Sequence, residues 1–293
     1  MGTVNTKLNV SIDERCKSCF LNTYQCLFEK YNVDIVQSQE FISSYQETII
    51  KDKHLSTPEI QRELNRAFCR IINVSDPFKE EKISSNGIAL ELYKEWKTKV
   101  LSSDDSFDLA LRLAIAGNIM DYGANNSFDL HKTIQSVLEA SYAIDHSALL
   151  KKKIQKAKSI LCLGDNAGEI VFDKLFIETM MPNNIIYVVK SEATLNDATI
   201  EDAKEVGMDK VVEVVSNGYD APSTILHKCS KEFLEIYNSA DLIISKGQGN
   251  LEGLINENDP RIFFLLMVKC DVIGEILHVN KGSFVVYNQS IRK

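Results

Sequence analysis

Short apolar runs alternate with helical stretches through the second half of the chain, and this alternation restricts the fold more than any other feature. The runs lie at 160–163, 185–189, 211–215, 242–245 and 262–268, with a last one at 283–287. Each has the length of a strand, and most are apolar at consecutive positions, as in strands buried on both faces. Helical periodicity fills 169–181, 199–206 and 229–238 between them. The expected architecture is a doubly wound α/β core with a largely parallel sheet.

The first half reads as helices, at 11–30, 41–51, 57–73, 76–100, 107–116, 129–140 and 146–157. Thr57-Pro58-Glu59 has the marks of a helix start: a capping hydroxyl, a proline at the first helical position and an acid near the positive dipole end. The polar break at 102–106 sets the expected domains. A helical N-terminal domain covers 1–105, and an α/β core covers 106–293. Helices up to about 157 can still pack on the sheet.

Composition excludes some function classes. The net charge of −8 argues against nucleic-acid binding, which calls for a basic face. No apolar run approaches the ~20 residues of a membrane span. Residues 1–10 are polar and lack the apolar segment of a signal peptide. Seven scattered cysteines suit reduced thiols in the cytoplasm. Cys16-Lys17-Ser18-Cys19 has no second pair at zinc-finger spacing, so it reads as packing on a helix face.

The candidate chemistry lies after the strands. Asp165 and Asn166 follow the run at 160–163, and Lys190, Asn196 and Asp197 follow 185–189. Lys246-Gly247-Gln248-Gly249-Asn250 follows 242–245, and Lys269 follows 262–268. In a parallel sheet these groups meet at one exposed rim, where open α/β sheets bind ligands. Asp165, Asn166 and Asp197 offer oxygen ligands of the kind that hard divalent cations take. Lys246 and Lys269 offer positive charge, and a loop with Gly247 and Gly249 lets backbone N–H groups approach an anion such as phosphate. Each feature also has a plain reading. Asp165-Asn166 can be turn chemistry, Asn196-Asp197 a helix start, and Gly117-Asn118 with Asp121 a helix C-cap.

Taken together and in order, Gly164-Asp165-Asn166-Ala167-Gly168-Glu169, Gly117-Asn118 with Asp121, Asn196-Asp197, Lys246-Gly247 with Asn250, and Lys269-Cys270-Asp271 resemble the metal-dependent damage-control phosphatases. The likeness covers nearly the whole chain and is closest to the compact microbial branch of that family. It implies a helical N-terminal region and a Rossmann-like α/β/α core. It implies hydrolysis of phosphomonoesters of small metabolites, such as sugar phosphates or damaged metabolites, with manganese, cobalt, nickel or magnesium. It gives Asp165, Asn166 and Asp197 as metal ligands. Asn118, Asn196, Lys246, Gly247, Asn250 and Lys269 become candidate substrate contacts. Asp165, Glu169, Asp121, Lys246 and Lys269 become candidate catalytic residues, with Glu169 or Asp121 positioning a metal-activated water. Lys269 matches the lysine of an Arg-Thr-x-Lys motif in larger relatives, but Leu266-Met267-Val268 precede it here. Two other readings remain, an S-adenosylmethionine-dependent methyltransferase and a non-catalytic binder of an anionic metabolite.

Overall fold

The computed structural model describes residues 12–51, 55–117, 130–180 and 184–291. These form two compact units, residues 1–77 and 78–293, so the expected boundary near 105 falls inside the second unit.

The first unit is a set of three helices: α1 (Glu14–Lys30), α2 (Ile35–Lys51) and α3 (Thr57–Ile72). Tyr24, Phe28, Phe41 and Phe68 form its aromatic centre, with Tyr24 and Phe41 ring centroids 4.5 Å apart. The cap of α3 is Ser56 rather than Thr57. The Glu59 carboxylate accepts from the Ser56 N–H at 2.9 Å and from the Ser56 hydroxyl at 2.8 Å. Cys16 is half-buried and Cys19 exposed, so the expected packing role of the C-x-x-C is not met.

The second unit is a seven-stranded sheet between two helical layers. Its strands are β1 (Tyr142–Asp145), β2 (Ile160–Leu163), β3 (Ile185–Val189), β4 (Glu213–Ser216), β5 (Leu242–Lys246), β6 (Ile262–Met267) and β7 (Phe284–Tyr287). The order is β1-β7-β6-β5-β2-β3-β4. Every pair is parallel except β6 with β7. Chain order runs outward from β2 through β3 to β4, then returns to the other side of β2 with β5. That reversal is a topological switch point between the carboxyl ends of β2 and β5.

The central strands alternate between two covered faces. Ile160, Cys162, Tyr187, Ile244 and Phe263 face one apolar cluster, while Leu161, Leu163, Ile243 and Phe264 face the other. The first cluster is closed by α4 (Lys79–Leu101), α5 (Ser106–Ala116), α6 (Leu130–Glu139), α7 (Ser147–Lys156), α8 (Glu169–Met180) and α9 (Ile200–Glu205). The second is closed by α10 (Lys231–Ser239), α11 (Gly247–Leu254) and α12 (Asp271–Leu277). Coverage on both sides explains why the strands lack a polar alternation.

Candidate active site

The post-strand groups do converge at the switch point, but they are buried there rather than spread on an exposed rim. Asp165, Asn166 and Asp197 are 6%, 4% and 3% exposed. The segments after β2 and β3 are laced together. Asn166 and Asp197 form an antiparallel bridge. The Ala167 N–H donates to the Asn196 carbonyl at 2.9 Å, and the Ala198 N–H donates to the Asp165 carbonyl at 2.8 Å. The Asn166 side-chain amide donates to Asp165 Oδ2 at 3.0 Å. Two acids and an amide, far apart in sequence, are thereby fixed as neighbours.

Burial makes the acids costly to ionise without a cation. It pushes the Asp197 carboxyl up to about 8, against the pull of Lys190 and with a further push from Asp165. Lys190 Nζ lies 3.5 Å from Asp197 Oδ2, and that buried oxygen has no hydrogen-bond partner. Lys190 instead donates to Asn250 Oδ1 at 3.2 Å. Lys269 is half-buried, and its charge favours the ionised form of Asp197.

Gly247 makes room for Asp165. A Cβ at this position would lie 1.9 Å from Asp165 Oδ2, and its φ of +77° is a left-handed value that favours glycine. The expected glycine loop is in fact the first turn of α11, with Lys246 at its cap. Gly249 fits that helix because the Pro222 carbonyl would meet its Cβ at 2.1 Å. Asn250 holds the two sides of the switch point together. Its Nδ2 donates to the Gly164 carbonyl at 3.0 Å and to the Lys246 carbonyl at 2.8 Å, and its Oδ1 also accepts from Thr224 at 2.9 Å. Asn250 is thus engaged in joining the strand ends rather than presented as a side-chain contact.

Lys246 is fully buried, and its ammonium has three partners. It donates to Glu169 Oε1 and Asp173 Oδ1, both at 2.5 Å, and to the Ala114 carbonyl at 2.9 Å. Burial opposes its charge, but Asp173 and Glu169 outweigh that and hold its pKa above the ordinary lysine value. Burial pushes Glu169 up to about 8, against Lys246, with Asp165 and Asp173 adding to the rise. Tyr187 donates to Asp173 Oδ2 at 2.7 Å, which extends the network beneath Gly164. A Cβ on Gly164 would meet that tyrosine oxygen at 2.5 Å. Gly117, at the end of α5, packs on Glu169. Asn118 and Asp121 lie outside the described residues.

Among the described residues no group of three or more His, Cys, Asp or Glu is placed to hold a metal. The trio of Asp165, Asn166 and Asp197 is a different donor set, two carboxylates with one amide. Its all-oxygen chemistry, and an Asp197 Oδ2 that has no hydrogen-bond partner, fit a hard cation.

Residues 12–285 match the family model described as the damage-control phosphatase ARMT1-like domain. The chain belongs to this family. A damage-control phosphatase of Pyrococcus horikoshii is 39% identical over 220 residues, which are 74% of this chain and 76% of that protein. A damage-control phosphatase of Archaeoglobus fulgidus is 30% identical over 298 residues, 94% of this chain and 98% of that protein. The crystal structure of a DUF89 family protein from Pyrococcus horikoshii aligns with a TM-score of 0.86 at 31% identity, over 95% of this chain and 99% of that one. The damage-control phosphatase fold, helical N-terminal region and mostly parallel sheet, is therefore common to this chain and a solved relative.

Two residues bonded into this candidate site, Asp173 and Asn86, are not picked out by the sequence. Asp173 sits four residues after Glu169, which places both acids on one face of α8, and that spacing was the available signal. Asn86, described below, reaches the site from a distant helix and has no local signature. No described helix is long and apolar enough to cross a membrane.

Proposed function

We propose that this damage-control phosphatase is metal-dependent and hydrolyses phosphomonoesters of small metabolites, sugar phosphates or damaged phosphometabolites among them. The observation that carries the reading is the buried trio of Asp165, Asn166 and Asp197 at the switch point, with Asp197 Oδ2 lacking a hydrogen-bond partner. These three residues would hold the cation, with manganese, cobalt, nickel and magnesium as the candidates. The cation would supply Lewis acidity and an activated water. Asp165 and Asp197 would then remain ionised despite their burial, because the positive charge replaces the lost hydration.

The chain's own residues divide the rest of the work. Lys269, half-buried after β6, is the side chain best suited to orient the phosphoryl oxygens and offset their charge. Lys190, at the end of the same strand that leads to Asp197, balances its charge. Lys246, with its donors engaged, serves as the buried counter-charge to Glu169 and Asp173 rather than as a phosphate contact. Positioning the attacking water falls to Glu169, which Lys246 holds in place, or to Asp121. Gly247 leaves the space that Asp165 occupies. Asn196 contributes through its backbone carbonyl to the bridge between the ligand segments. The seven thiols are unbridged, in keeping with a cytoplasmic setting.

The test is phosphate release from an aryl phosphate and a panel of sugar phosphates. The protein is chelated first, and each metal is then added back. Release restored by a metal and abolished by Asp165→Ala supports the reading. Equal release from chelated and metal-loaded protein would sink it.

A further inference from the structure

We infer that Asn86, on α4, is a positioning residue that clamps together the two segments carrying the trio. The inference rests on the reading of Asp165, Asn166 and Asp197 as the cation site. Asn86 is fully buried, and its side chain uses its acceptor and its donors on different segments. Its Oδ1 accepts from the Gly168 N–H at 2.7 Å. Its Nδ2 donates to Asp202 Oδ1 at 3.3 Å and to Glu205 Oε2 at 2.8 Å.

Each partner adjoins the site. Gly168 is two residues after Asn166 and turns the chain from β2 into α8 with a left-handed φ of +76°. Asp202 closes the start of α9, where its Oδ2 accepts from the Thr199 N–H at 2.9 Å and from the Thr199 hydroxyl at 2.6 Å. Thr199 is two residues after Asp197. One amide therefore fixes the turn behind Asn166 and the helix start behind Asp197. The backbone bonds between Ala167 and Asn196 and between Ala198 and Asp165 already join these segments, so the clamp and the bridge constrain the same pair. Lys82, one turn earlier on α4, reaches Asp202 at 3.1 Å and so supports one side of the clamp.

An amide suits this position because it donates and accepts at once. A carboxylate would keep an acceptor for Gly168 but would face Asp202 and Glu205 with like charge. A leucine would keep the volume and leave the Gly168 N–H and both acids without this partner. Residues that orient ligands from behind are commonly worth roughly 10–100-fold in metal affinity.

The experiment compares Asn86→Leu with Leu92→Ala, a core truncation on the same helix that perturbs packing without touching the clamp. Manganese affinity of the chelated full-length protein is measured by calorimetry. Hydrogen exchange is followed in metal-free protein for peptides spanning 163–170 and 195–203. The expected result is roughly 10–100-fold weaker manganese binding by Asn86→Leu. Both peptides should also exchange faster in that variant, with neither change in Leu92→Ala at comparable thermal stability. Wild-type affinity and exchange in Asn86→Leu would overturn the clamp. Should Asn86→Leu not fold, Asn86→Gln replaces it, with its amide displaced by one methylene and the same direction expected. Failure of the wild type to bind manganese, with faster exchange still seen in the variant, would overturn the cation reading and leave the clamp standing.

Discussion

Gly247→Ala is the sharpest perturbation the site offers, because two separate costs can be told apart. The first is conformational: φ is +77°, and a residue with a Cβ pays about 1–2 kcal/mol to hold the left-handed region. The second is a collision. The new Cβ would lie 1.9 Å from Asp165 Oδ2, 2.1 Å from Cγ and 2.6 Å from Oδ1. An ordinary contact needs about 3.5 Å, so the carboxylate must retreat by roughly 1.5 Å. Displacements of about 1 Å in a reacting group can cost on the order of 100-fold in rate. Gly282 supplies the control. It has a φ of +85° and nothing within 4 Å of an added Cβ, so Gly282→Ala carries the first cost without the second. Metal-restored turnover of an aryl phosphate and thermal unfolding should be measured on both variants. Gly282→Ala should lose stability and keep its rate, while Gly247→Ala should lose at least about 100-fold in kcat. A Gly247→Ala enzyme within about twofold of wild type would refute the contact with Asp165 as a determinant of activity.

Other outcomes follow from the buried charges. In metal-free protein Glu169 and Asp197 hold their protons up to about 8, while in the unfolded chain they titrate near 4.5 and 3.8. The folded state therefore binds more protons between those values, and stability falls as pH rises through that window. His146 has a lowered pKa and acts in the opposite sense near its ordinary 6.5, so the interval from pH 7 to 8 isolates the acids. The melting temperature of chelated protein should drop across that interval, and saturating manganese should reduce the drop; a rise would contradict the burial of these carboxyls. Lys246→Met leaves Asp173 buried without its cation and removes the donor to Glu169, and breaking such a buried pair costs about 3–5 kcal/mol. Urea unfolding of the variant near pH 7 should show that loss, and a loss under about 1 kcal/mol would mean the network relaxes or takes in water.

The sheet was readable where strands are apolar on consecutive positions. β2 and β3 fall where the runs at 160–163 and 185–189 place them. β4 was displaced, expected at 211–215 and found at Glu213–Ser216, because Val211 and Val212 extend the apolar pattern beyond the paired residues. β1 was missed: four residues with alternating burial at the sheet edge give almost no periodic signal. α11 was hidden by its glycines, which depress helix propensity yet are demanded by the neighbouring Pro222 and Ser223 atoms. The same limit governs the site. The order of Asp165, Asn166 and Asp197 along the strands was legible, since parallel strands put their carboxyl ends on one edge. Their burial was not, nor the withdrawal of Lys246 into a cluster with Glu169 and Asp173. Those depend on α5 and α8 closing over the sheet, and no local stretch records it.

The bridge between Asn166 and Asp197 also limits how this region can vary in length. Paired extended segments present successive side chains to opposite sides, so adding or deleting one residue on either segment would turn Asn166 or Asp197 away from its neighbours. Between 165 and 167, and between 196 and 198, the spacing of the chain matters as much as the residues it carries. Lys190 is tied by its bridge to Thr199 and Thr194 by its carbonyl to the Asp197 N–H, so only residues 192 and 193 between them lack a backbone bond that fixes their count. Changes in this stretch alter the surroundings of the candidate site while the Asn166–Asp197 bridge stays as it is.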